Sequence, residues 1–183
     1  MRETHAVLHD YSGKLLVAHP DMESGFFAGS VVYVYQHDHN GSSGIVLNAA
    51  TTCPVSDIML DRGFDYAGGD CVFKGGPVNQ TAIVLLHSSD WYSSNTKPIG
   101  NSLAISSDNF MFEKIAMGNE PTEWRLFAGI CAWAPGQLEV EINSPKGWQI
   151  AQPNNGIVFD SEYVDQWYKA LQLCGQQLFD SYI

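Results

Sequence analysis

Two imidazoles stand two residues apart at His37 and His39, and two carboxylates repeat that spacing at Glu139 and Glu141. On a β-strand, residues i and i+2 share a face, so either pair could grip a divalent cation or relay a proton. A catalytic metal site also needs a third ligand and an open position. No H-E-x-x-H or comparable partner accompanies His37-Asp38-His39. The preferred reading of that triplet is a polar turn at the end of a strand. His19 and His87 close apolar runs in the same way and read as loop-edge histidines, and Ser88 and Ser89 lie in no G-x-S-x-G pattern. The four cysteines, Cys53, Cys71, Cys131 and Cys174, form no Cys-x-x-Cys pair and sit beside apolar residues, so buried thiols are expected.

The glutamates lie among Leu138, Val140 and Ile142, whose strict alternation suggests a strand with both carboxylates on its outer face. Pro135-Gly136 just before them, and the i, i+4 pair Leu138 and Ile142, suggest a helix instead. On a helix the two carboxylates would diverge by roughly 200°, too far to act as one acid–base pair. Spacing alone leaves both readings open. Lys74-Gly75-Gly76-Pro77 could cradle an anion on backbone N–H groups, but the P-loop spacing is missing and Pro77 supplies no donor, so a tight turn is preferred.

The elements that must position these residues are mostly strands. Residues 14–19, 30–36, 44–48, 81–87 and 125–133 are rich in β-branched and aromatic side chains. Asn40-Gly41 makes 30–48 a hairpin, and its strands, apolar on both faces, belong inside a sheet. Residues 71–77 read as strand then loop, 55–60 as a short helix at most, and 88–102 as the longest polar loop. Asp108 can cap a helix carrying Met111, Phe112 and Ile115 and ending at Gly118. A final helix from Asp160 presents Val164, Trp167, Tyr168, Leu171 and Cys174 as a stripe and closes at Gly175. Roughly seven strands intermingled with three or four helices, without regular alternation, indicate an α+β fold. The first twelve residues read as a polar arm, and 13–183 as one compact domain.

Charge limits the partners. Nine basic residues face twenty acidic ones, for a net charge of −11, and the cations are spread along the chain. That field repels a phosphate backbone, so direct nucleic-acid binding is disfavoured. The chain shows neither a secretory signal pattern nor an apolar run of membrane-spanning length, and the cytoplasm is the expected setting.

The blocks GKLLVAHP (13–20), FFAGSVVYVYQH (26–37), NGSSGIVLN (40–48), FKGGPV (73–78), LLH (85–87) and CAWAPGQLEVEI followed by Trp148 occur in this order. In that sequence and spacing the chain resembles the AlgH/YqgE-like family. The resemblance implies a compact α+β domain on a curved, barrel-like mixed sheet, with 136–143 as a short helix. Members are labelled transcriptional regulators, because one influences exopolysaccharide production, and they have no assigned reaction or ligand. The matching polar positions are His37, Asn48, Gln137, Glu139 and Glu141, joined by the glycine turn at Gly75 and Gly76. Three positions that are commonly cationic in the family are Gly29, Ala49 and Ala82 here, which implies a weakened or altered anion site.

The expectation is a non-enzymatic regulatory or adaptor protein that contacts another protein, without cofactor or metal and without catalytic residues. Its alternative is a small-ligand binder or enzyme with a pocket framed by His37, Asn48, Gln137 and Glu139. That alternative requires the polar side chains to converge on one concavity.

Overall fold

The computed structural model describes residues 9–160 and 162–183. Its strands and helices follow in chain order as β1 (Leu15–Ala18), β2 (Val31–Asp38), β3 (Gly41–Val46), β4 (Ala50–Pro54), α1 (Val55–Leu60) and β5 (Cys71–Lys74). Next come β6 (Val78–Ser88), β7 (Lys97–Ile99), β8 (Leu103–Ser106), α2 (Asn109–Ala116) and β9 (Trp124–Trp133). The chain finishes with α3 (Gln137–Ile142), β10 (Trp148–Ala151), α4 (Asn155–Val158) and α5 (Gln166–Asp180).

One curled sheet organises them, in the order β10-β1-β2-β3-β9-β6-β8-β7, with every neighbour on that path antiparallel. A side branch makes the sheet mixed: β5 runs parallel to β9 and carries β4 on its other edge. The domain is α+β, as the intermingled elements imply. The 30–48 hairpin lies inside the sheet between β1 and β9, so both of its edges are paired, and core clusters bury residues on both of its faces. Asp38 pairs with Gly41 across the turn, where Gly41 takes φ +124°. β4, β7 and β10 exceed the expected set of strands, and α4 is an extra single-turn helix.

The core divides along the two faces. Leu15, Val17, Val31, Tyr33, Ile45, Leu47, Phe73 and Phe127 fill one face beneath Ala170 and Cys174 of α5. On the opposite face Leu16, Val32, Val34, Val46 and Trp133 pack under Leu138 of α3. Farther along that face Val72, Leu85 and Leu126 lie under α1 and α2. Among the described residues no helix is long and apolar enough to cross a membrane.

Helix α2 forms as expected: Asp108 accepts the Met111 N–H at 3.0 Å, and Gly118 closes the helix at φ +78°. Helix α5 does not. It begins at Gln166 instead of Asp160 and runs through Gly175 to Asp180, and Tyr168 and Val164 face solvent. Gln166, Ala170 and Cys174, at i, i+4 and i+8, make the buried line instead. Close helix–sheet packing selects the small Ala170, and Gln166 is accommodated because its amide donates to the carbonyls of Ile157 and Val158.

Candidate functional site

The strand pairing decides where His37 points. Val34 pairs with Gly44, but Gln36 pairs with Ser43 and His37 with Ser42, so Tyr35 is left as a β-bulge. Uninterrupted alternation would have put His37 on the face of Tyr33. The bulge moves it to the face of Val34, beneath α3. There the imidazole side chain is 2% exposed, its Nδ1 lies 2.7 Å from Ser42 Oγ, and the Tyr11 ring meets it edge-on at 5.1 Å. His37 is therefore a buried strand residue and not part of a polar turn. His39 lies in the exposed turn beyond the strand, so the two imidazoles share no face. Among the described residues no three His, Cys, Asp or Glu side chains gather as a metal-holding group.

Helix α3 confirms the helical alternative for 136–143. Gly136 adopts φ +78° before it, Leu138 is fully buried, Ile142 packs beside it, and Val140 stands 72% exposed. An i, i+4 pair meets the sheet, where alternation would have buried all three. Glu139 and Glu141 consequently have separate surroundings. Glu139 Oε1 approaches His37 Nε2 at 3.5 Å, which is an electrostatic contact beyond ordinary hydrogen-bond length; His37 Nε2 and Glu139 Oε2 are buried without a hydrogen-bond partner. Burial, and then the Glu139 carboxylate, push the Tyr11 phenol above its ordinary value. Glu141 is a tether. Its Oε2 accepts the indole N–H groups of Trp133 and Trp148, both at 2.9 Å, and its Oε1 accepts from Gln137 Nε2 at 3.0 Å. Gln137 Oε1 in turn accepts the Ala134 N–H at 3.0 Å. One carboxylate thus fastens the end of β9, helix α3 and the start of β10 together.

Asn48 does similar work elsewhere. Its Oδ1 accepts the Val31 N–H at 3.0 Å, and its Nδ2 donates to Gly29 O at 2.9 Å. Val31 and His37 are six residues apart along β2, roughly 20 Å, so Asn48 belongs to the far end of the hairpin. The structure brings His37 and Glu139 together and places Glu141, with Gln137 bonded to it, about half a helix turn away on the tryptophans. It does not bring Asn48 to them.

Gly75 and Gly76 pass directly over β9. The Gly75 N–H donates to Ala128 O at 2.8 Å, and Gly75 O accepts the Val46 N–H at 2.8 Å. A Cβ on Gly75 would strike Gly129 O, and one on Gly76 would strike Ile130 C and O. The glycines here permit a backbone crossing. Of the positions where the family commonly has cations, Gly29 and Ala49 flank Asn48, while Ala82 lies on β6. Lys74 remains near the first two, its N–H on Ala49 O at 2.7 Å and its ammonium 5.1 Å from the Phe26 ring.

Two groups escape sequence reasoning. His87 is fully buried and not at a loop edge: Nδ1 lies 2.8 Å from Ser88 O and Nε2 2.9 Å from Ser106 Oγ, because β8 pairs alongside it. Desolvation pulls its pKa below the ordinary value. Arg125 is also buried, in the core strand WRLFAGICAW. A cation inside an otherwise apolar run was its available signal. The cysteines are free; Cys131 and Cys174 are buried, Cys53 and Cys71 half-buried.

Comparison with known proteins agrees with this architecture. A UPF0301 protein of Methylococcus capsulatus is 33% identical over 179 residues, covering 96% of both chains. A UPF0301 protein of Gluconobacter oxydans is 32% identical over 165 residues, covering 87% of this chain and 88% of its own. The solution structure of the AlgH protein from Pseudomonas aeruginosa superposes with a TM-score of 0.77 at 25% identity, covering 96% of this chain and 93% of that one. A crystal structure of a Corynebacterium diphtheriae protein gives 0.75 at 27% identity over 90% of this chain and 87% of its own. The sequence profile described as AlgH-like matches residues 15–179, and the chain belongs to the AlgH-like family.

Proposed function

We propose that this protein is a non-enzymatic regulatory adaptor of the cytoplasm that acts by contacting another protein. One observation carries the reading. The polar residues of the motif blocks bind the chain to itself, while large apolar side chains elsewhere are held ready at the surface. Asn48, Gln137 and Glu141 spend their hydrogen bonds on backbone, on tryptophans or on each other. Tyr92 and Met117 are each 75% exposed and Phe110 48%. The Lys114 ammonium lies 4.5 Å from the Trp91 ring and 4.6 Å from the Tyr92 ring, and it donates to Tyr92 O. That cation fixes Tyr92 in place, and a pre-ordered aromatic loses little freedom on docking. Aromatic anchors of this kind dominate protein interfaces. The even spread of cations argues against DNA as the partner.

The test is capture from a native lysate on wild-type protein and on a Phe110→Ser/Met117→Ser variant of unchanged thermal stability. A partner retained by the wild type and released by the variant supports the reading. Equal retention by both, or by neither, sinks it, and retention on heparin at physiological salt would favour nucleic acid instead.

A second reading, a small-molecule function at His37, is favoured by the unpartnered His37 Nε2 and Glu139 Oε2. Thermal-shift screening with metals and metabolites separates it from the first, because a ligand of the native state raises the melting temperature.

A further inference from the structure

Arg125 is 8% exposed, and its charge has no carboxylate counter-ion within 4.0 Å among the described residues. NH1 donates to Leu47 O at 2.8 Å, NH2 donates to Asp160 O at 2.7 Å, and the guanidinium lies over the Phe73 ring at 4.1 Å. Among the described residues two of its five N–H donors are thereby used and three are not. Burial draws the guanidinium down to about 10, so the surroundings disfavour its charge. Buried cations are ordinarily paired.

The surroundings include an open space. A cleft of about 300 Å³ lies beside Arg125, walled by Cys71, Phe73, Trp124, Phe159 and Tyr163. The strand pairing builds it. Phe73 of β5 pairs in parallel with Phe127 of β9, so the same register two residues earlier sets Cys71 beside Arg125. Tyr163, from the segment before α5, closes the side with its ring edge-on to Phe73 at 5.5 Å. Of the acidic groups, Asp160 Oδ2 pairs with Lys169 at 2.7 Å, while Asp70, itself part of the cleft wall, accepts the Tyr66 hydroxyl at 2.8 Å on Oδ2.

We infer that this cleft is a binding site for a small planar monocarboxylate, whose carboxylate pairs with the free N–H edge of Arg125 while its body lies among the aromatic rings. This goes beyond the adaptor reading and stands independently of it. A guanidinium matches carboxylate and phosphate alike. The aromatic rings, the Asp70 carboxylate in the wall and the overall charge of −11 select the monoanion, since a dianion costs more to desolvate and is repelled more strongly. The volume suits a single ring with its substituent and is at the small end for ligand pockets.

Cys71, a half-buried free thiol in the wall, makes the site readable, and half-buried Cys53 is the internal control. Alkylation by iodoacetamide is followed separately at each cysteine by peptide mass spectrometry, with benzoate, its neutral isostere benzamide, or inorganic phosphate added. Benzoate slows Cys71 and leaves Cys53 unchanged, and benzamide protects with an affinity about tenfold or more weaker, the factor for one charge-assisted contact. Phosphate protects less than benzoate. Tyr163→Trp, which fills the cleft, abolishes the benzoate effect at unchanged melting temperature. Arg125→Met abolishes it if that variant folds, and the wild-type comparison decides if it does not. No protection by benzoate, equal protection by benzamide, or stronger protection by phosphate overturns the inference.

Discussion

Replacing Glu141 by alanine tests whether this carboxylate is a structural tether. The substitution removes the acceptor of two indole N–H groups, those of the buried Trp133 and Trp148, and the partner of Gln137 Nε2. A buried donor left without an acceptor costs about 1–3 kcal/mol, so the two indoles together lose about 2–6 kcal/mol. Partial solvent access near Gln137 favours the lower half, about 3 kcal/mol. With a urea dependence of about 2 kcal/mol per molar, the unfolding midpoint falls by about 1.5 M. Tryptophan fluorescence serves as the probe, because two of the reporters are the residues released. Glu141→Gln lands between wild type and alanine: one amide oxygen still faces the indoles, but its NH2 confronts a donor on Gln137. A double-mutant cycle with Trp148→Phe isolates one contact and returns a coupling of about 1 kcal/mol or more. A midpoint shift under about 0.5 M, roughly 1 kcal/mol, refutes the tether and reopens a chemical role for this glutamate.

Three other outcomes follow from the same geometry. Gly76→Ala forces a methyl into the Ile130 carbonyl and lowers stability by about 3 kcal/mol or abolishes soluble expression, whereas Gly175→Ala, inside α5 with no neighbour to strike, is expected to keep the protein folded, as thermal melts will show. His87 is held neutral, its folded pKa below the ordinary 6.5, so its contribution is complete above the unfolded pKa and is lost as pH falls from about 6.5 toward the folded value. Wild type should therefore lose up to about 1.4 kcal/mol per pH unit in that window relative to His87→Gln, and parallel pH profiles for the two proteins would contradict this. At pH 8 in the native state, iodoacetamide should modify Cys131 and Cys174, whose thiols burial raises to about 12 and about 11, about a hundredfold or more slower than the half-buried Cys53.

The long elements were legible because each carries its own pattern. Val31–Tyr35 and Trp124–Trp133 are β-branched and aromatic, and the Asp108 cap names its own helix. β4, β7 and β10 were not, since segments such as Lys97-Pro98-Ile99 are too short for alternation and become strands only by pairing with a neighbour. The site was half legible. Glu139 and His37 were named as candidates, but the bulge that brings His37 under α3 is a property of pairing between strands and leaves no mark on local periodicity. Arg125 counted only as one of nine cations spread along the chain, because its carbonyl partners, Leu47 and Asp160, are distant in sequence.

The unpaired Tyr35 has an implication for how tolerant this part of the molecule is to changes in length. Excise it, and Val34 would be followed by Gln36 in unbroken pairing with Ser43, still delivering His37 to Ser42 and Glu139. What would go is the tyrosine itself, one wall of the 420 Å³ hollow it shares with Lys97, Pro98 and Ile105, together with the extra coil a bulge gives its strand. A shortened variant should keep the imidazole's surroundings and lose the hollow, so the two regions can be dissected by a single codon.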